Sequence, residues 1–524
     1  MRKTWLALLL ALALMVPAGG LAVNVAVEGF PIVDEPITLK IATMKPPVCP
    51  DFSEIVILKN FEEKSGIHVE WESIPNEMVT ERRNLMFASL DLPDIMMKMS
   101  VGALDQASYS EQGILLPLNA LIEQYAPNVQ DWFEQFPEVK VGLTLPDGEI
   151  YSLGYIYAAP AITAGGRYFF NSEVLAHAGL DKAPTTTDGL LEYLRAIKGW
   201  DYNGNGQDDE IPVSSASYDY IEDILKGSWG LGTRGRNHAY VDIDKEGNPR
   251  FIYTSNEYKE ILQYINTLYT EKLLDQDIFT MEHAQLITKA QEGRALTYVF
   301  VNDNVVTNTP YQSLAVGMTE PFKGPHGDQI ANNFSAALSG AGGALVLTMK
   351  NQYPEASMRW ADYWYSDDGI REYFMGVEGL TYYVDDNGEY QFTDYVIKNP
   401  EGINYEQVLG QYCPWLGGGN PSVAGNKYFK GGEMAPVPRA AAEALEPFKP
   451  EIIWPAFRYS SEDNSTMSVL QNDIQTYRNE MRAAFVTGAK SFDEWDAYVA
   501  GYNALGLDQY MEIYTKTINA LNAQ

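Results

Sequence analysis

Cysteine and histidine are scarce in this chain of 524 residues, which has 2 Cys and 5 His. Cys49 and Cys413 are too far apart in sequence to form a zinc-binding motif. The sequence leaves open whether they form a disulfide, and we favour two unpaired thiols. Basic residues are also few, since 37 Lys and Arg stand against 70 Asp and Glu, for a formal net charge of −33. A surface this acidic repels phosphates, so we expect no nucleic-acid partner.

Long apolar runs are missing from the sequence except at its start. Two basic residues precede an apolar run over residues 5–16, and small residues follow up to Ala22. The run is shorter than the roughly 20 residues that span a bilayer, so the pattern predicts a secretory signal peptide over residues 1–22. We therefore expect an exported, soluble protein in the periplasm or at the cell surface. Residues 23–36 lack a regular pattern and are predicted to be a tether.

The rest of the composition is that of a globular protein, with 46% hydrophobic residues, and the length favours two or three domains. After the predicted tether, segments in which apolar and polar residues alternate are separated by segments with helical spacing of apolar residues. These patterns predict strands at 37–41, 67–71 and 92–97 and helices at 53–64 and 76–90. This order predicts an α/β fold with a mostly parallel sheet, in which ligands bind at the carboxyl ends of the strands. Later features are a helix over 254–269 with a capping box at 254–257, a candidate second crossing between domains at 314–324, and a mostly helical last third.

Residues 201–210 read Asp-Tyr-Asn-Gly-Asn-Gly-Gln-Asp-Asp-Glu, which matches the first half of an EF-hand calcium loop. Oxygen-bearing side chains stand at loop positions 1, 3, 5 and 9, and Gly206 at position 6 permits the sharp bend. Position 12 is Pro212 instead of Glu, so Glu210 would supply the closing carboxylate. The pattern favours a structural Ca²⁺ site over a polar turn that binds nothing. The expected ligands are Asp201, Asn203, Asn205, Gln207 through its backbone carbonyl, Asp209 and Glu210.

The segment around this loop, residues 186–212, resembles the calcium-loop segment of extracellular solute-binding proteins of family 1, which serve ATP-driven sugar importers. Further short stretches fit the family in order along nearly the whole chain after the signal peptide, beginning at residues 92, 146, 171, 322 and 376. The chain is most similar to the alginate-oligosaccharide-binding and LplA-like lipoprotein members. The resemblance implies the same six calcium ligands.

The resemblance also implies an α/β, two-lobe periplasmic-binding-protein-like fold with a hinge and a helical C-terminal region. The first lobe would comprise residues 37–153 and 315–350. The second lobe would comprise residues 154–314 and 351–524 and would carry the calcium loop. Lipid-anchored members have a cysteine after the signal, which this sequence lacks, so the means of retention at the surface stays open.

Aromatic residues make up 12% of the sequence, with 34 Tyr and 10 Trp. Proteins bind sugars by stacking aromatic rings on their apolar faces and by aiming charged or amide groups at their hydroxyls. Aromatic residues in turn-like, glycine-rich surroundings are the best candidates, and core packing is an equally common role for each of them. The candidate ligand-binding residues are Trp229, Trp415, Tyr157, Tyr383 and Arg167.

These observations predict a non-catalytic, monomeric protein that captures an oligosaccharide and delivers it to the membrane permease of an ABC importer. Two alternatives stay open. A secreted glycoside hydrolase needs only two suitably spaced carboxylates, and 70 acidic residues always offer a pair, so their abundance is no evidence for one. A binder of peptides or other small molecules on the same scaffold is the other alternative, because a fold does not determine its ligand.

Overall fold

The computed structural model describes residues 23–307, 309–338, 342–399 and 403–522. The predicted signal peptide lies outside these ranges. Within them, no helix is both long and apolar enough to cross a membrane. The predicted tether packs against the body of the protein instead of extending from it, since Ile32 and Val33 are buried and the Ile32 N–H donates to the Ser65 carbonyl oxygen at 2.8 Å.

The described ranges contain both strands and helices throughout. The strands are β1 (Ile37–Lys45), β2 (Ile67–Pro75), β3 (Ile95–Met97), β4 (Ile156–Ala158), β5 (Arg167–Asn171), β6 (Ser214–Ser215), β7 (Val241–Ile243), β8 (Pro249–Phe251), β9 (Tyr298–Phe300), β10 (Ala315–Gly317), β11 (Leu345–Leu347), β12 (Tyr382–Val384), β13 (Tyr390–Phe392) and β14 (Val423–Gly425). The helices are α1 (Val56–Ser65), α2 (Val79–Ser89), α3 (Ala103–Glu111), α4 (Asn119–Tyr125), α5 (Pro127–Gln135), α6 (Pro137–Leu143), α7 (Pro160–Thr163), α8 (Ser172–His177), α9 (Thr187–Ile197), α10 (Tyr218–Lys226), α11 (Asn256–Thr270), α12 (His283–Gln291), α13 (Pro354–Tyr363), α14 (Asp367–Met375), α15 (Asp394–Ile397), α16 (Tyr405–Leu409), α17 (Pro436–Leu445), α18 (Ser461–Thr487), α19 (Trp495–Ala504) and α20 (Leu507–Asn522).

The first lobe is built on a four-stranded sheet of order β11-β3-β1-β2. β1 pairs in parallel with β2 and β3, as the sequence predicts, and β11 is antiparallel to β3. Ile37, Leu39 and Ile41 alternate into the core beneath α1. α1 ends at Gly66, whose φ of 76° lets the chain reverse into β2.

The second lobe is built on a four-stranded sheet of order β10-β5-β9-β6. β5 is antiparallel to β9 and β10, and β6 is parallel to β9. α11 packs its apolar side against α18. Its N-terminal cap is Ser255, whose Oγ accepts from the Tyr258 N–H at 3.1 Å. The predicted capping box at 254–257 is wrong, because the third helical residue after this cap is Tyr258, which has no carboxylate or amide to bond back to the cap.

The hinge consists of short extended segments between the two sheets. β4 pairs with β14, Ile156 bridges to Leu338 on its other side, and Ala164 bridges to Phe334 farther along. The chain therefore crosses between the lobes near β4 and again between β10 and β11. The predicted crossing at 314–324 lies too early in the sequence.

Two predicted lobe boundaries need correction. The sequence predicts residues 315–350 in the first lobe, but β10 joins the sheet of the second lobe and only β11 joins that of the first. It also predicts residues 351–524 in the second lobe, but α13 packs on α4 and α5 of the first lobe. The Trp364 ring of the segment after α13 lies 4.8 Å from that of Phe61 in α1. Strands of three residues carry too little periodicity to be assigned to a sheet from sequence.

Candidate ligand cleft and calcium loop

The candidate ligand site lies where the hinge meets the carboxyl ends of strands from both sheets. Lys45 ends β1 in the first lobe, and Tyr220 lies shortly after β6 in the second. Tyr155, in the hinge, is close to both Asn420 and Glu433. Ligands of open α/β sheets bind at such strand ends. We call this region the cleft.

Glu433 is a half-buried acid in the cleft that forms no hydrogen bond or ion pair within the described ranges. Burial is the main reason why the pKa values of Tyr155, Tyr220 and Tyr405 are raised, and the negative charge of Glu433 adds to each rise. Gly432 allows this segment to approach β9, because a Cβ atom there would lie 2.9 Å from Asn302 Nδ2. Glu433 therefore lies near enough to three phenols to influence them electrostatically, and no described group donates a hydrogen bond to it.

Arg236 is the basic counterpart of this acid in the second lobe. Its half-buried guanidinium has no hydrogen-bond or ion-pair partner among the residues that the structure describes. It lies over Gly165 of the hinge, where a Cβ atom would come within 3.1 Å of Arg236 Nη1. Tyr220 lies over Gly166 in the same way, because a Cβ atom at Gly166 would be 2.6 Å from Tyr220 Cδ1. The glycine pair thus lets a cation and a phenol lie directly on the backbone.

Arg167 is buried beneath the cleft and has no exposed surface. Nη2 donates to the Val301 carbonyl oxygen at 2.6 Å and Nη1 to that of Ala164 at 3.2 Å, so the guanidinium ties the hinge to the end of β9. Burial lowers the pKa of Arg167 to about 10, and Glu433 partly opposes this effect. The prediction that Arg167 contacts ligand does not hold in this structure, because carbonyl oxygens enclose its charged group.

Trp229 is a core residue of the second lobe and is only 4% exposed. Its Nε1 donates to Glu260 Oε2 at 2.9 Å, and its ring lies 5.6 Å from that of Tyr264. A ring enclosed on all sides cannot stack on a sugar, so the prediction of ligand contact fails here as well. The neighbouring glycines that suggest a ligand site serve close packing instead: a Cβ atom at Gly227 would lie 1.8 Å from the Ile330 carbonyl oxygen.

The other three predicted ligand contacts retain exposed surface. Tyr157 is half-buried in the hinge, 5.0 Å from the ring of Tyr155, and lines a cavity of about 510 Å³. Trp415 is half-buried in the first lobe, 6.1 Å from Phe374. Tyr383 is 47% exposed on the hairpin of β12 and β13. Exposed surface permits ligand contact but does not test it, so the assignment of these three residues to the ligand site stays a prediction.

The predicted calcium loop connects α9 to β6 and bends sharply, as an EF-hand-like loop requires. Gly204 and Gly206 have φ values of 72° and 76°, which residues with a side chain rarely adopt. Asp201 Oδ2 accepts from the Gly206 N–H at 3.0 Å, and Asn203 Oδ1 accepts from the Asn205 N–H at 3.0 Å. These bonds hold the side-chain oxygens of the first two predicted ligands, Asp201 and Asn203, toward the inside of the bend.

Glu210 supplies the observation that tests whether this loop suits a cation. Its Oε1 accepts from the Tyr202 N–H at 2.9 Å, whereas its Oε2 is buried without a hydrogen-bond partner. An unpartnered, buried carboxylate oxygen is unfavourable unless a cation or a donor meets it. The position that the sequence assigns to the closing carboxylate therefore fits Ca²⁺.

The residues at the remaining predicted ligand positions are hydrogen-bonded to other groups of the protein. The Gln207 N–H donates to Asn205 Oδ1 at 2.7 Å, and Asp209 lies between Asn205 Nδ2 at 3.3 Å and Arg294 Nε at 3.8 Å. Across the described ranges, no group of three or more His, Cys, Asp or Glu side chains is placed to hold a metal ion. Calcium in this loop would thus depend on amide and backbone oxygens as much as on carboxylates.

Residues 41–370 match the model of the bacterial extracellular solute-binding protein family. The chain belongs to this family. The two lobes and the hinge agree with the predicted fold class, and family membership agrees with the resemblance inferred from the calcium-loop segment.

Among curated members of the family, the chain is similar to the fructooligosaccharide ABC transporter substrate-binding protein FusA of Streptococcus pneumoniae. The two are 28% identical over 512 residues, which cover 93% of this chain and 91% of FusA.

Solved structures of family members share the fold. FusA in complex with kestose aligns with a TM-score of 0.71 at 24% identity and covers 93% of this chain and 99% of its own. The alginate-binding protein AlgQ2, solved without calcium ion, aligns with a TM-score of 0.70 at 23% identity. This alignment covers 93% of this chain and 98% of AlgQ2. An EF-hand mutant of FusA in complex with fructo-nystose aligns with a TM-score of 0.71 at 23% identity. The alignment covers 93% of this chain and 99% of the mutant's chain.

Sequence reasoning missed the two unpaired charges of the cleft. Glu433 is one of 70 acids and Arg236 one of 37 basic residues, so neither is distinctive by type. The available signals were their glycine neighbours, Gly235 before Arg236 and Gly432 before Glu433. Family membership alone does not identify them, because the charges that a family member directs at its solute depend on that solute.

Proposed function

We propose that this chain captures an oligosaccharide outside the cytoplasm and delivers it, chemically intact, to the membrane permease of an ABC importer. The observation that carries the proposal is the pair of unpaired charges, Glu433 and Arg236, among the tyrosines of the cleft. Half-buried charged groups without protein partners can bond to the hydroxyls of a sugar without first breaking a bond in the protein. The name of FusA makes a fructooligosaccharide the first ligand to test.

Aromatic stacking would complement these polar contacts. We assign it to Tyr157, which lies in the hinge, and to Trp415, whose loop covers the end of β1. Tyr383 would lie at the rim, because its hairpin is exposed. Closure of the two lobes about the hinge would then bring Tyr220 and Arg236 toward the ligand-binding groups of the first lobe. The closed, ligand-bound form would be the one that the permease recognises.

We infer that the loop at 201–210 holds a structural Ca²⁺. The support is the buried, unpartnered Oε2 of Glu210 together with the spacing of the other ligand positions. The loop leads into β6, whose end borders the cleft, so the ion would stabilise the second lobe without touching the ligand. The ligand set would be Asp201, Asn203, Asn205, the Gln207 carbonyl, Asp209 and Glu210.

Titration calorimetry with kestose, longer fructooligosaccharides and alginate oligosaccharides tests the proposal, with mass spectrometry of the recovered sugar. We expect saturable binding of at least one oligosaccharide, recovery of that sugar unchanged, and a monomer by light scattering. Cleavage products would favour a glycoside hydrolase. Binding of peptides but of no sugar would assign the scaffold to another solute class. Either result contradicts the proposed function.

A further inference from the structure

A buried lysine in the first lobe holds a loop that is distant in sequence. Lys98 follows β3 and is only 2% exposed. Its Nζ donates to the carbonyl oxygens of Pro414 and Leu416, each at 2.7 Å, and to Asn420 Oδ1 at 2.9 Å. All three acceptors belong to the 414–420 loop, so one ammonium group sets the path of that loop at three points.

This arrangement is not what stability alone would favour. No carboxylate in the described part of the chain forms an ion pair with Lys98, and burial lowers its pKa to about 7. An apolar side chain of similar size is often at least as stable as a buried charge. Lys98 also has a φ of 58°, a left-handed conformation that non-glycine residues rarely adopt and that is found at functional sites.

The loop itself has a conformation that few sequences can adopt. Gly417, Gly418 and Gly419 have φ values of 82°, 74° and 64°. A Cβ atom at Gly417 would lie 2.8 Å from Pro46 Cγ and 2.9 Å from Met44 Cε, so the loop lies against the end of β1. Three successive flexible residues would leave its shape undefined without an external contact.

The side chain that the loop presents is Trp415. Its ring packs 6.1 Å from Phe374 and 5.6 Å from Phe429, and the residue as a whole is half-buried. Asn420 Nδ2 donates to the Trp415 carbonyl oxygen at 2.9 Å, so the residue bonded to Lys98 also fixes the backbone that carries the ring. Trp415 Nε1 is buried and has no hydrogen-bond partner. Lys98, Asn420 and the two phenylalanines thus determine where the ring lies.

We propose that Lys98 is a positioning residue for sugar binding: it fixes the 414–420 loop so that Trp415 offers a preformed stacking surface near the carboxyl end of β1. A ring that is ordered before the ligand arrives loses less conformational entropy on binding. The link to sugar rests on the proposed function, whereas the order of the loop does not.

The first test needs no ligand. Protein labelled with 5-fluorotryptophan gives one fluorine resonance for each Trp residue, and the Trp415→Phe variant assigns the resonance of Trp415. In Lys98→Met we expect the Trp415 resonance to shift or broaden while the others stay unchanged. Lys272→Met is the matched control, because Lys272 also has a left-handed φ, of 54°, but is exposed. An unchanged Trp415 resonance in Lys98→Met would overturn the proposal.

The second test is a double-mutant cycle with kestose as the probe. We expect Lys98→Met to weaken binding about tenfold and the double variant with Trp415→Ala to match Trp415→Ala within about twofold, since coupled residues are not additive. Additive losses would show that Lys98 does not act through Trp415 and would overturn the proposal. If the wild type binds no sugar, the proposed function fails while the fluorine spectra still decide the role of Lys98.

A second variant protects both tests against misfolding of Lys98→Met. Asn420→Asp keeps an acceptor for Lys98 and for the Tyr373 hydroxyl but removes the donor to the Trp415 carbonyl oxygen. We expect it to reproduce the change in the Trp415 resonance and the loss of kestose affinity. Wild-type behaviour of this variant in both measurements would contradict the proposed chain of contacts.

Discussion

Replacing Glu433 by Gln tests whether the unpaired acid of the cleft binds the ligand. The carboxylate is half-buried and has no protein donor, so a sugar hydroxyl would donate to a full negative charge. Hydrogen bonds to charged groups contribute about 1.5–3 kcal/mol and those between neutral groups about 0.5–1.5 kcal/mol. Gln keeps the size and one acceptor, so the variant should lose about 1.4 kcal/mol, which is about tenfold in Kd.

The assay is calorimetric titration of each variant with the tightest-binding oligosaccharide of the wild type. Glu443→Gln is the matched control, because Glu443 is exposed on α17, the helix that follows Glu433. We expect about tenfold weaker binding for Glu433→Gln, unchanged binding for Glu443→Gln, and no loss of thermal stability in either protein. Unchanged affinity of Glu433→Gln would refute the reasoning, and so would a loss of affinity that only accompanies a loss of stability.

Three further predictions concern the calcium loop, the buried lysine and a core tryptophan. At a calcium concentration of 100 times Kd, chelation should lower the unfolding free energy of the wild type by about 2.7 kcal/mol and leave Asp201→Asn almost unchanged; equal thermal shifts would contradict the site. Because burial lowers the Lys98 pKa from 10.5 to about 7, the unfolded chain binds this proton more fully than the folded chain between pH 7 and 9, so stability should rise with pH in this window. The rise, up to about 3 kcal/mol by urea denaturation, should be absent in Lys98→Met; parallel pH profiles would contradict it. Trp229→Phe should lower the unfolding free energy by about 1–3 kcal/mol without weakening sugar binding. Weaker sugar binding by a variant of wild-type stability would instead show that Trp229 belongs to the ligand site.

The first lobe could be predicted well because its elements are long and periodic. Strict alternation at Ile37, Leu39 and Ile41 and the glycine after α1 identify both a buried strand and the end of a helix. β10 has no such signal, since Ala315–Gly317 is too short to show a period. Its place in the second sheet depends on pairing with a distant strand, which local sequence does not encode.

The candidate site was less predictable because local sequence does not report burial. Trp229 and Trp415 both lie near glycines, yet Trp229 donates to an acid in the core and Trp415 is half-buried on a loop at the end of β1. Arg167 follows two glycines of the hinge but turns its charge toward backbone carbonyls. The calcium-loop motif was recognisable because all the predicted ligand positions lie within ten consecutive residues. A cleft assembled from both lobes gives no such local signal.

Small-angle X-ray scattering of the protein with and without a saturating oligosaccharide tests the central claim most directly. We predict that the radius of gyration falls when the sugar binds, because the lobes close about the hinge over Glu433 and Arg236, and that the sugar is recovered unchanged. A radius of gyration that stays constant with every oligosaccharide offered, at concentrations that saturate binding, would contradict capture between two hinged lobes.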